Sequence, residues 1–224
     1  MRIKRILILS ICFALIVIFV IFIKNNYKFS KTGNNISNKS ADEIKEYILN
    51  IQSYEATANI KVISNKNENN YVVKQKYNKD GNVYKQEILE PENIKGIQFS
   101  YDGANLKVEN TKLNLNKIYK DYNYIESNEL SLMSFIEEYK ENGKSKCSES
   151  NGTIILETDV KENNKYTSNK KLYINKEKGK IEKMEINDRT KSTRIYILYN
   201  EIELNELSKE EIVAFSIRTI DEDI

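Results

Sequence analysis

The chain carries no histidine. Without imidazole there is no Ser-His-Asp or Cys-His couple, no His-ligated zinc, and no side chain whose ordinary pKa sits near neutrality. Cys12 and Cys147 are the only cysteines, too few for a Cys-rich metal site. Acid–base work would fall to carboxylates, Lys or Tyr. The carboxylate candidates are Glu137-Glu138, Glu210-Glu211 and Asp221-Glu222-Asp223. A glycosidase needs two carboxyl groups converging on one bond. Adjacent acids point to different helix faces, so these read as solvated surface. Asp80-Gly81, Asp102-Gly103 and Asn151-Gly152 read as turns, without the spaced oxygen ligands of an EF-hand. The seven glycines are spent on turns and caps, and none builds a phosphate loop. The expectation is a protein with no catalytic residue, cofactor or metal site, one that acts by binding.

What it could bind depends on its apolar residues. Tyr occurs 15 times and Trp never. The Tyr and Ile stripes read first as core. A second reading makes Ile60, Val62, Ile97, Phe99, Tyr101, Ile195 and Ile197 the lining of a lipid-accepting cavity. Net charge is only +2, from 35 basic and 33 acidic residues, with no basic block, so nucleic acid is not an expected partner.

The elements that would position these residues are mostly strands. Ser40-Ala41-Asp42-Glu43 fits a capping box, and Ile44, Tyr47, Ile48 and Ile51 follow at helical spacing, predicting a helix from Ala41 to about Gln52. Period two then takes over at Tyr54, Ala56, Ala58, Ile60 and Val62. After a polar turn over 64–70, a second strand runs through Tyr71, Val73, Gln75 and Tyr77. Lys79-Asp80-Gly81-Asn82 predicts a hairpin in which Gly81 takes positive φ. Val83–Glu90 is a third strand, ended by Pro91, the only proline. Ile97–Tyr101 and a strand through Leu106 and Val108 flank the Asp102-Gly103 turn. The stretch from Asn110 to Ser127 reads as an irregular loop whose aromatics lie over a hydrophobic surface. A second helix is expected over Glu129–Asn142, then strands over 144–150, 153–160, 170–175, 180–187 and 193–204, and a short helix and tail over 208–224. The fold class is therefore α+β, mainly β: an antiparallel sheet long enough to curl into a half-open barrel, with two or three helices. Cys147 is the one cysteine of this domain, which excludes an internal disulfide and predicts a free, partly buried thiol.

The N-terminus sets an expectation about location. Met1-Arg2-Ile3-Lys4-Arg5 is basic, and Ile6 to Ile23 is an apolar run, with Phe13 and Ile18 inside it and Lys24 closing it. As a helix at about 1.5 Å per residue it would reach roughly 27 Å, close to a bilayer's hydrocarbon thickness. No small-residue cleavage pattern follows. Leu9-Ser10-Ile11-Cys12 departs from a lipobox at Ile11. The expected organisation is a membrane anchor over 1–24, a flexible tether over 25–39, a domain over 40–206 and a C-terminal helix and tail over 207–224. The basic stub predicts a single-pass protein with a cytoplasmic N-terminus and an extracytoplasmic domain.

Three segments resemble a known family. Phe99-Ser100-Tyr101-Asp102-Gly103-Ala104-Asn105-Leu106-Lys107-Val108 resembles a hairpin of the LolA/LolB-like superfamily of lipoprotein-localisation and envelope proteins. Lys171–Asn175 through Lys183–Ile186 resembles its later hairpin, with Gly-Lys-Ile where its turn often has Pro. Ile51–Ala58 fits its first helix-to-strand step. Within that superfamily the chain is most similar to GerS-type spore germination lipoproteins, through the same Tyr-Asp-Gly hairpin, Leu130–Ile136 and Ile195–Tyr199. The resemblance implies a half-open β-barrel without catalytic residues. It implies a role in spore germination, binding and activating a cortex peptidoglycan amidase. The family carries a lipobox where this chain has an apolar run. The alternative is a LolA-like carrier holding lipid or lipoprotein acyl chains in the barrel. A homo-oligomer is also compatible with the sequence.

Overall fold

The structure is a computed structural model, and it describes residues 39–122, 124, 128–161 and 166–207. Helix α1 (Ala41–Leu49) starts at the expected capping box: Ser40 Oγ accepts from the Glu43 N–H at 3.2 Å, and Glu43 Oε2 accepts from the Ser40 N–H at 2.7 Å. It buries Ile44, Ile48 and Leu49. It stops before the expected Gln52 because Asn50 closes the last turn, its N–H and side-chain amide both donating to the Glu46 carbonyl.

Six strands then meander: β1 (Ser53–Ile63), β2 (Glu68–Asn78), β3 (Val83–Glu90), β4 (Ile97–Tyr101), β5 (Leu106–Asn110) and β6 (Leu115–Tyr119). Three local expectations change. The polar turn before β2 is shorter, because Ser64 closes it by bonding Asn67 in both directions, so β2 begins at Glu68. In the β2–β3 hairpin the left-handed residue is Asn82, at φ 48°, and not Gly81; Asn tolerates that region through its short polar side chain. The segment after Asn110 is no irregular loop. Asn110 Oδ1 accepts from the Lys112 and Leu113 N–H groups, Asn114 takes φ 49°, and the chain returns antiparallel to β5 as β6.

Helix α2 (Leu132–Glu141) is capped by Ser131, whose Oγ accepts from the Met133 N–H. Five strands follow: β7 (Lys146–Ser150), β8 (Thr153–Asp159), β9 (Asn169–Asn175), β10 (Lys180–Asn187) and β11 (Thr193–Leu204). All eleven strands form one open antiparallel sheet in the order β6-β5-β4-β3-β2-β1-β11-β10-β9-β8-β7. First and last long strands of the domain thus meet at its centre, Tyr54 beside Leu204 and Ile60 beside Ile197. Register shifts at Thr57/Ala58, Val72/Val73 and Ile181/Lys183 bend the strands. Buried side chains of the strands and of one side of each helix form the core.

The expected localisation is not upheld either. No helix among the described residues is long and apolar enough to cross a membrane, so the single-pass, outward-facing localisation is corrected. Helices of nine and ten residues reach only about 15 Å, half a bilayer's hydrocarbon thickness. The run holding Ile6, Phe13, Ile18 and Ile23 lies outside the described residues, as does the helix expected after 208.

Candidate binding surface

On the inner face, Tyr54, Ala58 and Ile60 of β1 adjoin Val73, Gln75 and Tyr77 of β2 and Tyr84 and Gln86 of β3. Helix α2 supplies Leu132, Phe135 and Ile136 to the same core, and these are among the most deeply buried side chains. Three of the buried polar side chains pair with one another. Tyr84 Oη donates to Gln86 Oε1 at 2.9 Å, and Gln75 Nε2 donates to the same oxygen at 3.1 Å. Burial pushes the Tyr54 phenol up to about 12 and those of Tyr84 and Tyr199 well above their ordinary value. These tyrosines stay neutral near pH 7; the Tyr54 and Tyr84 hydroxyls donate to Gln75 and Gln86, and Tyr199 supplies packing surface.

Glu138 departs from the solvated role read for the Glu137-Glu138 pair. It is only 10% exposed and pairs with the fully buried Lys170 of β9 at 2.7 Å. Ser134, four residues earlier on the same helix face, accepts from Lys170 Nζ at 3.1 Å. The pair fastens α2 to the sheet. Glu210-Glu211 and Asp221-Glu222-Asp223 lie outside the described residues. Among the described residues no three Cys, Asp or Glu side chains are grouped to hold a metal.

The seven residues expected to line one cavity fall into two groups. Ile60 and Ile197 are paired across β1 and β11, with Val62 and Ile195 the next pair along that face. Ile60 and Ile197 line an open, mostly apolar groove of about 570 Å³ together with Tyr71, Val72, Tyr196 and Leu198. Ile97, Phe99 and Tyr101 stand on β4, with β2 and β3 between them and β1. Phe99 and Tyr101 belong to an aromatic cluster: Tyr124 lies 6.4 Å from the Phe99 ring, 6.0 Å from Tyr101 and 5.4 Å from Tyr84.

That cluster leads outward to the sheet's edge. Tyr122 links Tyr124 to Tyr119 through ring separations of 6.4 and 6.1 Å. Strand β6 is exposed along its whole length, and Leu113 (64%), Leu115 (62%) and Ile118 (55%) are the largest exposures of aliphatic side chains on it and its turn. An apolar edge strand open to solvent is a ready surface for another chain. Sequence reasoning missed it because lysines and asparagines interrupt the apolar residues, so neither face of β6 shows clean alternation. The available signal was the pair Asn110 and Asn114, four residues apart across a tight turn, followed by Leu115, Ile118 and Tyr119. At the opposite edge Cys147 of β7 is a free thiol and exposed, not partly buried as expected, on an edge strand whose five residues are all exposed.

The chain matches the model of the "Sporulation protein YdcC-like" family over residues 4–212. Among solved structures, a chain in the structure of the CwlD amidase from Clostridioides difficile in complex with the GerS lipoprotein is 30% identical. The match covers 72% of this chain and 92% of that one, with TM-score 0.49. An uncharacterised conserved protein from Thermus thermophilus is 11% identical over 78% of this chain and 93% of its own, with TM-score 0.50. A LolA superfamily protein, NE2245 from Nitrosomonas europaea, is 14% identical over 78% and 97%, with TM-score 0.40. No curated protein matches.

Proposed function

The chain belongs to the YdcC-like sporulation protein family, and from that premise we propose that it is a binding protein of the spore-forming cell whose partner is a peptidoglycan amidase, which it activates. It works by contact and not by chemistry, on a sheet that curls into a half-open LolA-like barrel. The observation that carries this reading is the exposed apolar strand β6, with Leu115 and Ile118 open to solvent while the core under α2 is filled by its own side chains. A filled core supports protein binding over cargo carriage, since a lipid would have to displace Phe135, Leu132 and Tyr84. The 30% identity to a chain of the amidase–lipoprotein complex supports the class of partner. The test mixes the purified full-length chain with the amidase of the same cell. Co-elution and a rise in peptidoglycan cleavage support the proposal, with the chain alone cleaving nothing. Separate elution and unchanged amidase activity reject it.

The groove supports a second reading, as a lipid or lipoprotein carrier. Its 570 Å³ lies within the range of ligand pockets, and Leu198 and Val72 give it apolar walls. Under this reading the purified chain carries lipid, and Leu198→Glu abolishes lipid uptake while the melting temperature holds, since Leu198 is half exposed. Lipid-free protein that still activates the amidase rejects the carrier.

A further inference from the structure

We infer that the outer edge of β6 takes up an extended segment of the partner as a twelfth strand, and that this segment carries an acidic residue between apolar ones. The inference rests on the proposed role as a protein-binding partner and adds where and how the partner attaches. Strand β6 is bonded to β5 on one side only, and among the described residues no strand lies on its other side. Its outward N–H and C=O groups are therefore available to a new strand.

The side chains say what that strand carries. Register with β5 puts Leu115, Lys117 and Tyr119 on one face, opposite Asn110, Val108 and Leu106, and Asn116 and Ile118 on the other. The one charge on β6 is positive, Lys117. Lys112 is engaged with Glu92 at 2.6 Å, whereas Lys117 lies 4.8 Å from the Tyr119 ring and has no carboxylate partner among the described residues. Directly opposed residues on neighbouring strands interact most, and opposite charges there are favourable where like charges repel. An antiparallel partner strand is thus read as apolar, apolar, acidic, polar, apolar against Tyr119, Ile118, Lys117, Asn116 and Leu115. The tilted ring contacts Tyr119–Tyr122–Tyr124 root this edge in the core, so the template is held in place before binding.

The test uses the full-length protein and fluorescein-labelled nonapeptides whose central residues are Val-Ile-Glu-Thr-Val or Val-Ile-Lys-Thr-Val, read by anisotropy. The Glu peptide is expected to bind at least about fivefold tighter than the Lys peptide. Lys117→Glu, an exposed substitution that leaves the core alone, is expected to reverse that order. Backbone N-methylation of the Glu peptide is expected to remove its binding. Equal affinities for both peptides, or an unchanged order in the Lys117→Glu protein, overturn the inference, as does a dimer of this chain that the Glu peptide does not dissociate. Amidase capture is measured alongside. If the wild type captures the amidase and Lys117→Glu captures it equally well, the edge-strand inference falls and the proposed function stands. If no amidase is captured but the peptide order holds and reverses, the function falls and the edge site stands for another acidic strand.

Discussion

Asp188 shows how one carboxylate is committed to structure. It accepts from the Thr190 hydroxyl at 2.6 Å, the Thr190 and Ser192 N–H groups, and Arg194 Nε at 2.7 Å. These donors, the Thr190 hydroxyl first, hold its carboxyl down at about 2. An unfolded Asp titrates near 3.9. Between those values the unfolded chain binds the extra proton, so the stabilisation is complete above about pH 4 and is lost as pH falls toward 2. Asp188→Asn should remove that component: urea midpoints of the wild type fall between pH 4 and 2 more steeply than those of the variant. Parallel curves would show that Asp188 does not carry it. Lys170 makes a second case. Lys170→Met strands Glu138 in the core and should destabilise by about 3–5 kcal/mol, whereas Lys170→Met with Glu138→Leu should recover most of the loss. A double variant as unstable as the single one would show that the pair's partners, and not the orphaned charge, set the energy.

Elements are joined by turns that leave little freedom. At the β4–β5 hairpin Gly103 has φ +101°, and a Cβ there would come within 2.8 Å of the Gly81 carbonyl oxygen. Gly103→Val should therefore lower stability by about 1–3 kcal/mol in thermal melts, through backbone strain and that close approach. An unchanged melting temperature would mean that the turn relaxes freely. Most elements of this chain announce themselves locally. The capping box at Ser40 with the helical spacing after it, and the period-two stripe of β1, each announce an element, and Val83–Glu90 is bounded by a turn before it and Pro91 after it. Strand β6 lacked such a pattern, since its partner β5 supplies the pairing and its side chains face water. Likewise, that Asn82 and not Gly81 takes positive φ depends on how β2 and β3 meet, not on the composition of the turn.

At the scale of the molecule the sheet grades from a protected centre to two open edges. Strands β1 and β11 lie in its middle, and Tyr54, Ala58, Ile60 and Ile197 are almost fully buried. Hydrogen exchange should find the amides of β1 and the centre of β11 slowest and those of β6 and β7 fastest. Addition of the amidase should slow β6 selectively. Protection of β6 in the isolated protein equal to that of β1 would show the edge already covered.

The amino-acid sequence by itself determined the chemistry open to this protein and most of its elements. Lack of histidine is a property of composition, and strand and helix periods are properties of neighbours in the chain; neither needs a fold. Tertiary structure alone decided three things. It joined β1 to β11, about 140 residues apart, because a sheet whose ends and centre come from distant segments is chosen by burial of a shared face and not by local spacing. It drew Glu138 inward, because only the pairing of β9 with β8 and β10 sets Lys170 under α2. It separated Ile97, Phe99 and Tyr101 from Ile60 and Ile197, because strand order, and not alternation within a strand, decides which apolar side chains share a space.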